Sequence, residues 1–189
     1  MNCASCPHKD CYDGKDCLDS KDEITKLYTE QDINLLKTST AIESRYYMEK
    51  TRIEEIILFS EMMNYEKIGM AFCLGLEEES RIIHSIFKKH FKVYSVCCKI
   101  CGIDKSDFNL EKIHENRKES MCNPIGQAWF LNKKKTDLNI IIGLCMGHDL
   151  LFTEHSQAPV TTLVVKDRIL AHNPLGAVYS KYYRDKLSI

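Results

Sequence analysis

The stretch LNIIIGLCMGHD, residues 138–149, opens as an apolar run and changes character at Cys145, Gly147, His148 and Asp149. Three consecutive isoleucines leave no polar face, and a run this short between polar residues reads as a strand covered on both sides. The Gly-His-Asp that follows begins a short helix, GHDLLFTEHS. A doubly covered strand that feeds a helix is one unit of an α/β sheet.

The same unit recurs on either side. KIGMAFC (67–73) and FKVYSVCC (91–98) read as strands, with GLEEESRIIHSIFKKH carrying Leu76, Ile82, Ile83, Ile86 and Phe87 at helical spacing between them. Pro124 opens a helix in NPIGQAWFLNKKK, VTTLVVKD is a fourth strand, and NPLGAVYSKYYRD is a last helix again opened by proline. Apolar strands alternating with helices predict a Rossmann-like, mostly parallel sheet flanked by helices over residues 65–189.

Residues 19–64 read as a helical lead-in. Asp19 or Ser20 caps a first helix carrying Ile24, Leu27 and Tyr28, and a second periodic stretch runs through Ile33, Leu36, Ile42 and Tyr46. Thr51-Arg52-Ile53-Glu54 is a capping box, which starts a helix to about Met63. The carboxylates Glu54, Glu55 and Glu61 belong to its solvated face, because Ile53, Ile56, Ile57 and Phe59 form the buried stripe between them.

A chain of 189 residues with 44% hydrophobic content can bury one substantial core. Its 26 Lys and Arg balance 27 Asp and Glu, which gives no general attraction to nucleic acid or to anionic lipid. No apolar run reaches the roughly 20 residues that cross a bilayer, and the N-terminus has no apolar signal core, so a cytoplasmic location is expected.

In a reducing compartment ten cysteines point to metal binding or redox chemistry more than to disulfides. They form two groups, four within the first 17 residues and six between 73 and 145. Cys3, Cys6, Cys11 and Cys17 sit in a polar segment, 1–18, that has no core of its own. Four closely spaced thiolates there suit a Zn2+ or an iron–sulfur cluster that would organise the segment. Closed four-cysteine coordination suits a structural or electron-transfer role.

The second group is dispersed in sequence, yet the topology gathers it. In a parallel sheet the carboxyl ends of all strands lie at one edge, where ligands bind. Cys73 ends the first strand, Cys97 and Cys98 the second, Cys145 the third, and Cys122 precedes a helix that starts at the same edge. Side chains alternate along a strand, so only one of Cys97 and Cys98 faces the site, and Cys98 lies nearer the strand end. Cys98, Cys122 and Cys145 then make the best trio. Three thiolates can hold a [4Fe–4S] cluster with one iron open, or a Zn2+ whose fourth position goes to His148 or water. Singly, Cys73 and Cys97 read as small buried hydrophobes, and Cys101 is a residual candidate.

Around the trio, His148 and Asp167 are the candidate proton-transfer residues, with His172 as a partner for Asp167; helix and turn capping is the competing role for each. Asn123 and Gln127 are candidate hydrogen-bond partners for sulfur or substrate, and Asn123 also suits a helix cap. Lys99, Lys166 and Arg168 bring cations to the same edge. No dinucleotide-binding, Walker or nucleophile-elbow motif occurs.

The motifs KIGMAFCLGL, SVCCKICGIDK, CNPIGQAWFLN, TDLNIIIGLCMGHDLLF and APVTTLVVKDRILAHNPLGAVY, with the N-terminal cysteines, resemble an uncharacterised cysteine-rich metal-binding family common in anaerobic bacteria and archaea. That resemblance implies Cys98, Cys122, Cys145 and His148 as site positions and names no reaction; Cys101 stands where relatives are expected to lack a cysteine. Two functions remain open. One is an oxygen-sensitive metalloenzyme acting on a small molecule, and the other is a non-catalytic zinc-binding or electron-transfer protein serving a redox partner.

Overall fold

The computed structural model describes residues 2–188. The chain forms two compact units, Met1–Met48 and Glu49–Ile189. In the first, short 3-10 turns over Cys3–Ser5 and Asp10–Asp13 precede helices α1 (Lys21–Thr25) and α2 (Glu30–Arg45). Helix α1 ends before Leu27 and Tyr28, both exposed. The next helix already has its cap at Thr29, whose hydroxyl accepts from the Asp32 amide at 3.2 Å while the Asp32 carboxylate accepts from the Thr29 amide at 2.8 Å.

The second unit opens with α3 (Arg52–Met62), started by the expected capping box: Thr51 N–H donates to Glu54 at 2.9 Å and the Thr51 hydroxyl accepts from the Glu54 amide. Then come β1 (Lys67–Phe72), α4 (Glu77–Phe87), β2 (Lys92–Cys97), α5 (Pro124–Lys134), β3 (Leu138–Ile142), α6 (His148–His155), β4 (Val160–Val164), α7 (Leu175–Tyr179) and α8 (Lys181–Lys186). The last predicted helix is thus two. Ser180 is extended, with φ −81° and ψ 123°, and the Arg184 guanidinium donates to the carbonyls of Val178 and Tyr179, which ends α7 before α8 begins. No helix among the described residues is long and apolar enough to cross a membrane.

All four strands are parallel, in the order β2-β1-β3-β4. The chain leaves β1 toward β2 on one side and later reaches β3 on the other. This reversal sends the helices to opposite faces. Ile68, Met70, Ile140 and Ile142 pack with Ile56 and Ile57 of α3 and Ile83 and Phe87 of α4. On the other face Ala71, Val96 and Ile141 pack with Ala128 and Leu131 of α5 and Phe152 of α6. β3 is buried at every position, as its sequence predicts.

The register aligns the strand ends. Phe72 pairs with Cys97 and with Ile142, and Ile142 with Val164. The ladder continues one step beyond: Cys98 N–H donates to the Phe72 carbonyl at 2.9 Å, Cys73 to Ile142 at 3.1 Å and Gly143 to Val164 at 2.8 Å. Gly143, at φ +63°, turns the chain away from the sheet, and a Cβ there would lie 2.1 Å from a methyl of buried Leu76.

Candidate functional site

Between β1 and β3 the strand order reverses, and at such a switch point the loops from adjacent carboxyl ends diverge and leave a crevice. The segments around it carry the thiols. Cys73 and Cys98 are the first residues past β1 and β2, and both belong to the α5/α6 face, where they are buried with Ala71 and Val96. Cys97 has the opposite strand parity and is half-buried outside both core clusters. Cys101 is exposed, at φ +69°.

Cys122 arrives by a longer route. The chain between β2 and α5 has no periodic pattern. It folds by a 3-10 turn over Lys105–Phe108, a bridge of Asp104 to Ser120, and ion pairs of Lys105 with Glu119 (2.7 Å) and Lys112 with Asp104 (3.4 Å). These return Cys122 to Cys98, and Asn123 N–H donates to the Cys98 carbonyl at 2.7 Å. The Asn123 side chain caps α5, accepting from Gly126 N–H at 2.8 Å and donating to the Ile100 carbonyl at 3.3 Å. Gln127, fully buried one turn into α5, donates to the carbonyls of Phe72 (3.2 Å) and Val96 (2.8 Å) and so ties the ends of β1 and β2 together.

The sulfurs face cations. Lys166 Nζ donates to Cys73 Sγ at 3.3 Å and Arg168 Nη2 to Cys145 Sγ at 3.0 Å, both from the loop after β4. Arg168 also lies within electrostatic reach of Cys73 and Cys122, and its bond to Cys145 pushes its pKa upward. Cys98 and Cys122 are hydrogen-bonded to each other. The bond from Cys98, with the charges of Lys99 and His148 nearby, lowers Cys122 to about 5. That same bond, reinforced by burial, pushes Cys98 up, although Leu74 N–H donates to its sulfur at 3.3 Å. The opposite shifts arise from the one hydrogen bond the two thiols share, so the pair readily gives up one proton and retains the other.

His148, the first residue of α6, is half-buried with its charge felt at Cys122. Asp167 is turned into its own loop, its carboxylate accepting from Ile169 and Leu170 N–H, both at 2.9 Å. His172 meets Asp167 through the main chain, Nδ1 accepting from Asp167 N–H at 3.1 Å, so the carboxylate and the imidazole do not form a hydrogen-bonded pair. Asp149 bonds Gly147 and Leu150 N–H, both at 2.9 Å.

Cys3, Cys6, Cys11 and Cys17 are exposed free thiols. The amides of Lys9 and His8 donate to the Cys6 sulfur and hold that thiol below its ordinary value. Among the described residues, in neither cysteine group do three His, Cys, Asp or Glu side chains stand close enough together to hold a metal ion.

Residues 13–163 match the family described as "Protein of unknown function (DUF1847)". The chain belongs to the DUF1847 family. The match includes Cys17 and all six cysteines of the second unit, and Cys3, Cys6 and Cys11 precede it. The chain is also 56% identical over 189 residues to a protein of Methanocaldococcus jannaschii named "Uncharacterized protein MJ0455", an alignment covering 99% of this chain and 98% of that protein. No solved structure matches this DUF1847 chain.

Proposed function

We propose that the protein binds a metal through thiolates at the carboxyl edge of its sheet, as a [4Fe–4S] cluster or a Zn2+ held by Cys98, Cys122 and Cys145. One observation carries the reading: four free thiols from four separate chain segments, Cys73 among them, surround the switch point, and cations reach the sulfurs. In number, softness and charge this donor set fits. Soft thiolates select zinc and iron–sulfur centres, and such centres carry net negative charge that Lys99, Lys166 and Arg168 would offset. The sulfurs now bond these cations and each other, so binding requires Cys145 to leave Arg168 and the Cys98–Cys122 pair to lose its remaining proton. Lys99, already donating to the Ser120 carbonyl at 2.6 Å, stays as a positive support for Cys122.

The N-terminal cysteines form a second proposed metal segment. The two amides directed at the Cys6 sulfur support it, because such donors stabilise a thiolate ligand.

The test is metal and acid-labile sulfide analysis of anaerobically purified protein and of single Cys→Ala variants. Cys98, Cys122 and Cys145 variants are expected to lose the same centre, and Cys97→Ala to keep it. Cys73→Ala separates the two classes of function: retention of the centre means three thiolates and an open coordination position, and loss means a closed four-thiolate shell. Full metal in both Cys122→Ala and Cys145→Ala would refute the reading.

A further inference from the structure

The loop after β4 brings two cations onto the thiols, and the carboxylate between them, Asp167, bonds backbone amides of that loop and makes no ion pair with either. Among the described residues Lys99, Lys166 and Arg168 make no ion pair with an Asp or Glu. Asp167, adjacent to Lys166 and Arg168, and Asp149, four residues past Cys145, are bonded to backbone amides of their own loops. Half-buried Lys166 uses one of its three N–H donors on Cys73, and exposed Arg168 one of its five on Cys145. The other donors point to no protein acceptor among the described residues.

The charge count rests on the metal reading above. A Zn2+ or a [4Fe–4S] core with two positive charges, bound by four thiolates, carries a charge of minus two. Three cations face it, and with the Asp167 carboxylate of the same loop counted against them no net charge is left. With three thiolates one positive charge is left in excess. A positive surplus with unused, forked donors at a crevice mouth is the chemistry of anion recognition.

We infer that Lys166 and Arg168 bind a small oxyanion, a carboxylate or phosphate group, at the mouth of the crevice beside the thiol centre. A guanidinium presents parallel N–H groups to two oxygens of one such group, and the Lys166 ammonium supplies a second charge from two residues away in the same loop. Cys73 and Cys145 hold these side chains at the edge in the metal-free protein, and once Cys145 turns to the metal the Arg168 guanidinium is free to direct its donors at the anion beside the centre.

The experiment uses full-length, anaerobically purified protein whose metal content has been measured. Malonate and inorganic phosphate are titrated calorimetrically at low salt, with uncharged malonamide as control. The expected result is one saturable site per chain for at least one anion, weakened by added salt and absent for malonamide. Arg168→Gln and Lys166→Gln should each weaken it about tenfold or more when compared with wild type at equal measured metal content, and Lys92→Gln, on the exposed start of β2, should not. Preference for malonate identifies a carboxylate ligand, and preference for phosphate a phosphate-bearing one. Flat titrations with both anions on metal-loaded protein, or equal affinity in Arg168→Gln, overturn the inference and leave the metal reading intact. A wild-type chain without metal refutes the metal reading instead, and the same titration on that chain still decides the anion site.

Discussion

Metal-free protein should be alkylated by iodoacetamide at Cys122 with a pH midpoint near 5, because the bond from Cys98 and the charges of Lys99 and His148 lower that thiol to about 5 from an ordinary 9.0. At pH 7 an ordinary thiol with that value is roughly 1% thiolate, whereas Cys122 is roughly 99%. The gain of about a hundredfold in thiolate does not appear as speed. Intrinsic nucleophilicity falls with pKa at a slope of about 0.4 to 0.5, which over four units removes about 40- to 100-fold. Absolute rates at pH 7 are therefore nearly equal, and the midpoint is the observable. Mass spectrometry of the Cys122 peptide across about pH 4 to 9 reads it, with exposed Cys101 as internal reference. Reactivity of Cys122 should persist as pH falls through 7 and vanish only below 5. Cys98→Ala removes the largest cause and should raise the midpoint most, and Lys99→Gln should raise it less. A wild-type midpoint at or above about 8, in the range of an ordinary thiol, would refute the assigned hydrogen bond and its electrostatics.

Gly143→Ala is expected to cost about 2 to 4 kcal/mol by urea denaturation, since a side chain is strained at φ +63° and its Cβ meets the buried Leu76 methyl at 2.1 Å. Gln127→Leu should lose about 1 to 3 kcal/mol, the worth of its two bonds to strand-end carbonyls; because it also removes a buried, unpartnered amide oxygen, the low end is expected, and no loss at all would mean those bonds hold nothing. Deleting residues 1–18 should lower metal per chain by one centre while the parallel sheet still melts cooperatively; unchanged metal would remove the N-terminal segment from the account.

The sheet was legible because its two central strands, β1 and β3, carry no exposed polar face. Ile140, Ile141 and Ile142 leave no other reading, and the spacing from Leu76 to Phe87 requires a helix against one side. The box at Thr51 was visible for the same reason that the one at Thr29 was not: Glu54 fits the usual pattern, and Asp32 performs the same role with a shorter arm. The break at Ser180 depends on an arginine four residues on, which no local pattern announces. In the site, Cys98 and Cys122 could be placed together from strand ends and helix starts. Cys73 could not be joined to them, since its face depends on strand order, which periodicity does not encode. Lys166 and Arg168 were visible as charges after an apolar strand, but their sulfur partners lie 93 and 23 residues away and follow only from the register. The return of residues 99–123 rests on the Lys105–Glu119 and Lys112–Asp104 pairs, long-side-chain contacts without a sequence signature.

Because Lys166 and Arg168 come after the last strand, a growing chain exposes Cys73, Cys98, Cys122 and Cys145 well before their counter-charges leave the ribosome. Every strand pairing is parallel and non-local, so the edge that gathers the sulfurs forms late in folding. A synthesis intermediate stopped before Lys166 would carry the thiols without the two cations that now hold Cys73 and Cys145. The loop after β4 thereby decides when the edge is complete: Cys73 and Cys145 acquire their cations only once that loop has folded back over the strand ends.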